Sequence, residues 1–114
     1  MNQATLVGNL IADPELRYTP QNVAVCSFRI ATSNGRDKDG NNKDADYHNI
    51  TVWGKAGEEV NRATACAQNL KKGMKVFVLG RVTTSSWEGS DGVKRSKPEI
   101  VASLVEWFTQ KTQS

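Results

Sequence analysis

DYHNITVWGKAGEEVNRATACAQNL, residues 46–70, changes its period part-way along. Up to Trp53 it alternates. Tyr47, Asn49, Thr51 and Trp53 share one parity, and His48, Ile50 and Val52 the other. A strand sends successive side chains to opposite faces, so this segment predicts a strand over 47–53. Gly54 ends it. Beyond Gly54 the apolar residues Val60, Ala63, Ala67 and Leu70 recur at helical spacing, which predicts a short helix over roughly 57–70. Its stripe is narrow and alanine-rich, suited to close packing on the end of a sheet structure. Gly73 stops it, with Lys71 and Lys72 near the C-terminal dipole.

Strand signals flank this pivot on both sides. ATLVGNLI (4–11) reads as a first strand with a bend at Gly8. ADPELRYTPQN (12–22) carries Pro14 and Pro20 and reads as turns. VAVCSFRIATS (23–33) is a second strand. Ala24, Cys26, Phe28 and Ile30 form its apolar parity, and Ser27, Arg29, Ala31 and Ser33 a mostly polar one. Residues 34–46 form a polar arm with Asn34-Gly35 and Asp39-Gly40 turn signals. KVFVLGRVTTSSW (75–87) is a fourth strand, curved at Gly80, and EGSDG (88–92) a hairpin turn. KPEIVASLVEWF (97–108) is the fifth, with Pro98 near its start. Three strands, one helix and two strands predict an all-β chain: a five-stranded OB-fold barrel with one short helix between strands three and four. Residues 1–108 form the expected domain, and 109–114 a short polar end.

Composition narrows the function. The 114 residues suit one domain, with 38% hydrophobic residues for a small core and 24% charged. The net charge of +3 is a mild prior for an anionic partner. Residues 47–81 concentrate it, with six lysines and arginines against Glu58 and Glu59. Cys26 and Cys66 lack metal spacing and read as small buried thiols in a reducing compartment. No secretory or membrane-spanning run appears, so cytosolic residence is expected.

No catalytic set emerges, and the chain is not expected to be an enzyme. His48 is the single histidine and lies on the aliphatic parity of its strand, where packing or a subunit contact is expected. Asp37, Asp39 and Asn41 suggest a calcium loop, but the required glycine is Asn42 and the required glutamate is His48. GKAG (54–57) lacks the glycines and the hydroxyl of a phosphate loop. No metal and no cofactor is expected.

The aromatic residues are more telling. Tyr47 and Trp53 share a face, followed by Gly54-Lys55. Trp87 ends a long arm, with Lys94 and Arg95 just beyond its turn. Lys38 and Lys43 lie in the arm before Tyr47. Rings that stack on bases, interleaved with cations that follow phosphates, are the chemistry of single-stranded nucleic-acid binding. A duplex reader needs a polar helix face, and the helix here offers little beyond Asn61, Arg62 and Gln68.

With these residues in place, the chain resembles the bacterial single-stranded DNA-binding proteins of replication. LVGNLIADPELRYTP (6–20), DYHNITVWGK (46–55), KKGMKVFVLGRV (71–82) and Trp87 with its following glycines carry the likeness, in order, across residues 2–108. The resemblance implies an OB fold assembled as a homotetramer that coats single-stranded DNA with little sequence preference. It further implies work in replication, recombination and repair, in the cytoplasm and at the nucleoid. It places Tyr47, Trp53 and Trp87 on stacking positions, His48 at the subunit contact, and Arg17, Lys55 and Lys72 along the DNA path. Lys38, Lys43, Lys94 and Arg95 are further phosphate candidates as cations in long arms.

Three departures stand out. Gly35 takes the place of a common tryptophan, and Thr83, Thr84, Ser85 and Ser86 replace a more basic run. The sequence also lacks the acidic C-terminal tip through which the family recruits replication and repair proteins. Two alternatives remain open at this stage: a primosomal replication-restart adaptor of similar fold, and an oligomeric structural module with no nucleic-acid role.

Overall fold

The computed structural model describes residues 1–33, 38–40, 45–58 and 61–108. Six strands and one helix follow in chain order: β1 (Ala4–Leu10), β2 (Glu15–Tyr18), β3 (Ala24–Thr32), β4 (Asp46–Trp53), α1 (Arg62–Asn69), β5 (Lys75–Glu88) and β6 (Lys94–Trp107). Five of the strands close a ring. β1 pairs antiparallel with β5, β5 with β6, β6 runs parallel to β4, β4 pairs antiparallel with β3, and β3 returns to β1. This is the expected OB arrangement, with the helix between the third and fourth strands of the ring.

The short β2 lies outside the ring, on the free edge of β3, with Arg17 opposite Val25 and Leu16 opposite Cys26. The prolines at 14 and 20 had marked the whole stretch 12–22 as turns. They bound a four-residue strand instead, because neither falls where β2 must donate to β3.

Ring closure requires close backbone approach at two glycines. β1 pairs with β5 as far as Asn9, and with β3 at Asn9 and Leu10. At this crossing a Cβ on Gly8 would lie 2.5 Å from the Ala31 carbonyl oxygen. On the opposite wall the β5–β6 register slips between Leu79 and Gly80, and a Cβ on Gly80 would strike the Val101 carbonyl. Both curvature points expected from the sequence thus coincide with corners of the ring.

The apolar parities point inward. Cys26, Phe28 and Ile30 of β3 meet Ile50 and Val52 of β4, Val76 and Val78 of β5, and Ile100, Ala102 and Val105 of β6, all buried. Ala63 and Cys66 of α1, with Leu70 at its C-cap, plug one end. Small side chains let the helix settle close to β3 and β4. It begins later than its periodicity suggested because Asn61 caps it. The Asn61 side chain accepts from the Thr64 N–H at 3.0 Å, and the Thr64 hydroxyl accepts from the Asn61 N–H at 2.9 Å.

β6 starts three residues before the sequence reading placed it, at Lys94, so Pro98 lies inside the strand, opposite Thr84. Its missing N–H is tolerated because β4 pairs with β6 only around Ile100 and Val101, leaving the arm beyond as an open edge.

Candidate nucleic-acid interface

Strand alternation builds one outer face. On β4, Tyr47, Asn49, Thr51 and Trp53 point away from the core, beside Ala31, Arg29, Ser27 and Val25 of β3. On the β5–β6 arm, Trp87 stands opposite Arg95, with Lys97 and Glu99 following on the same parity of β6. The run from Tyr47 to Trp53 spans about 20 Å at the rise of an extended strand.

Three rings on this face are open to solvent: Tyr47 is 54% exposed, Trp53 47% and Trp87 44%. Side chains of this size on a folded chain ordinarily hide, so their joint exposure is the unusual feature. Cations accompany two of them. The Arg29 guanidinium carbon lies 5.0 Å from the centre of the Tyr47 ring, and Lys97 Nζ lies 5.9 Å from the Trp87 ring.

A groove of about 570 Å³ runs from Trp87 and Lys97 across Glu99, Thr51 and Asn49 to Arg29 and Arg17. A second, of about 370 Å³, shares Arg17, Thr51 and Glu99 with it and ends on Trp53 and Tyr18. Tyr18, Trp53 and Trp87 therefore border one connected surface, and Tyr47 adjoins it through Arg29. Its floor is fixed by hydrogen bonds: the Thr51 hydroxyl donates to Glu99 Oε2 at 3.0 Å, and Arg17 Nη2 donates to Ser27 Oγ at 3.4 Å.

The cations expected to line a strand divide by position. Arg17 lies in the grooves. Lys55 is exposed two residues beyond Trp53, and Lys38 is exposed at the tip of its arm. Lys43 lies outside the described residues. Lys94 and Arg95 open β6 beside the Trp87 end of the arm, and Arg95 pairs with Asp91 at 2.8 Å. That pair is exposed on both sides and worth about 0–1 kcal/mol, so a phosphate can replace the carboxylate at little cost. Lys72 lines another groove, away from the three rings. His48 is half-buried with its Nε2 3.0 Å from the Thr32 hydroxyl, and its strand partner is the fully buried Ile30.

Four residues of the face escaped the sequence reading: Arg29, Thr51, Lys97 and Glu99. Arg29 was legible in principle, since it lies on the polar parity of its strand. Only the register, Arg29 opposite Asn49, brings it beside Tyr47. Lys97 was taken as the edge of a strand that in fact continues past it.

The thiols lie in the core, on the other side of the sheet from this face. Cys26 and Cys66 are free and fully buried, as expected. Burial pushes Cys26 up to about 11. Cys66 rises to about 12 through burial and the neighbouring Cys26, with Arg62 opposing. Among the described residues no helix is long and apolar enough to cross a membrane.

A family model described as the single-strand binding protein family matches residues 1–108. Among curated relatives, the single-stranded DNA-binding protein of Oceanobacillus iheyensis is 38% identical over 97% of this chain and 65% of its own length. Single-stranded DNA-binding protein 3 of Listeria innocua is 41% identical over 97% of this chain and 66% of its own. Single-stranded DNA-binding protein 2 of Listeria monocytogenes is 39% identical over the whole of this chain and 68% of its own. The chain thus spans about two thirds of the length of these relatives. A ring of five strands with its helix at one end, a face of open rings among cations, and a match through residue 108 converge on one assignment: this chain belongs to the single-strand binding protein family.

Proposed function

We propose that the protein binds single-stranded DNA with little sequence preference and acts by occupancy, not catalysis. Bases stack on Tyr47, Trp53 and Trp87, while Arg17, Arg29, Lys97 and the cations of the two arms follow the phosphates. The observation that carries this reading is the joint exposure of Trp53 and Trp87 on one connected surface, with Tyr47 exposed at its margin over Arg29. A stacked base is worth about 1–3 kcal/mol, and every base has a ring face, so such a surface tolerates any sequence. Coating of this kind keeps strands open and shielded during replication, recombination and repair. Assembly into a homotetramer, with His48 near the subunit contact, would multiply the surfaces available to one strand and raise their effective concentration.

A purely structural module would hide its rings, and an adaptor has no need of three of them on one face. Fluorescence titration with oligo-dT and with a blunt duplex, over a salt series, tests the proposal. Single strands should quench tryptophan emission, more tightly than duplex, and added salt should weaken them. Emission unchanged by either nucleic acid at low salt would overturn it.

A further inference from the structure

A carboxylate is out of place on the floor of a surface that receives phosphates, yet Glu99 is there. It is the acidic side chain common to both grooves, which share it with Arg17 and Thr51. Glu99 is half-buried. Thr51 is buried, and its hydroxyl donates to Glu99 Oε2 at 3.0 Å, which fixes how the carboxylate faces the groove. Arg17 and Lys97 line the same groove. Among the described residues neither forms an ion pair with Glu99, and Arg17 donates to Ser27 Oγ instead. A carboxylate has about four lone-pair sites, and the Thr51 bond occupies one of them. Glu99 therefore presents an oriented, acceptor-only group to whatever enters.

That chemistry selects what can meet it. A phosphate is repelled, like charge against like. A base edge is not. The bases of an unpaired strand expose their Watson–Crick edges, where proteins hydrogen-bond to them. Guanine alone sets two donors side by side on that edge, N1–H and the N2 amino group, and they match the two oxygens of a carboxylate. Cytosine and adenine offer an amino group beside a ring acceptor. Thymine offers one N–H between two carbonyls. Of the two tryptophans, Trp53 is the nearer. It stands two residues beyond Thr51 on the same parity of β4, about 7 Å along the strand. Trp87 lies four residues beyond Thr83, the partner of Glu99, about 13 Å along β5.

We infer that Glu99 is a specificity-determining residue: it accepts the N1–H and N2–H of a guanine stacked on Trp53, so one base position of an otherwise tolerant surface favours guanine. This rests on the single-strand reading above and refines it at a single base. The bases stacked elsewhere stay unread.

Equilibrium titration with three strands of equal length tests it: all-dT, dT with one central dG, and the same strand with deoxyinosine in place of that dG. Inosine keeps the purine ring and N1–H but lacks the amino group. The parent protein should bind the guanine strand about 5-fold more tightly than all-dT, the low end for a two-bond base contact, with the inosine strand between them. Glu99→Gln keeps an acceptor for Thr51 but loses the paired acceptors. It should lose the guanine advantage while still binding all-dT. Equal affinity of the parent for the guanine and all-dT strands would overturn the inference. So would equal affinity for guanine and inosine, which would mark purine stacking alone. An equal loss on all three strands in Glu99→Gln, the mark of a merely structural side chain, would overturn it as well. Failure of the parent to bind any of the strands would overturn the single-strand reading itself.

Discussion

Cys26 and Cys66 show how a buried residue ties stability to pH without touching the functional face. Each thiol has an ordinary value of 9.0, lifted to about 11 for Cys26 and about 12 for Cys66. The unfolded chain therefore loses these protons first as pH rises. Below pH 9 both states are protonated and the contribution is complete; above it the folded state progressively loses stability, up to the folded values. Urea unfolding near pH 8 and near pH 11 should show this fall. A Cys26→Ala, Cys66→Ala variant should fall less steeply, though it starts from a lower stability. Equal slopes would contradict the burial account. By the same logic the native thiols should resist a disulfide reagent at neutral pH, since the thiolate is the reactive form.

At the scale of elements, glycines at the corners decide whether the strands can close. Gly8→Ala pushes a methyl group against the Ala31 carbonyl where β1 leaves β5 for β3, and Gly80→Ala does the same against Val101 at the bulge. Each should cost about 1–3 kcal/mol as overpacking, measured by denaturant unfolding. Undiminished stability in either variant would mean that the corner is not closely packed. These corners were legible in the sequence, because a glycine amid β-branched residues has few other reasons to be there. The helix was legible too, from its apolar spacing. Its start was not, since the cap depends on Asn61 and Thr64 bonding each other, which periodicity does not encode. β2 was missed because four residues between two prolines carry too little alternation to register, and only the free edge of β3 recruits them. Tyr47 and Trp53 were legible as one face from parity, and Trp87 from its place at the end of a long arm. Their connection through Arg17, Arg29, Thr51, Lys97 and Glu99 was not, because it depends on the register of β4 against β3 and on how far β6 runs.

The whole molecule separates two tasks between the two sides of one sheet. The inner parity of each strand supplies a core of Ile30, Ile50, Val52, Val76 and Val78, closed by α1. The outer parity of β3, β4 and the β5–β6 arm is then free to carry rings and cations. That division explains how so small a chain leaves two tryptophans half in water: its stability does not depend on them. Replacement of either should therefore leave folding nearly untouched while weakening binding. The decisive measurement is the affinity of Trp53→Ala and Trp87→Ala for oligo-dT at low salt, with Trp107→Phe as a packing control. Each of the first two should lose about 5-fold or more, the equivalent of about 1 kcal/mol or more per unstacked base, with unfolding midpoints close to that of the parent protein. Trp107→Phe should keep parental affinity. Parental affinity in both Trp53→Ala and Trp87→Ala would contradict base stacking on this face.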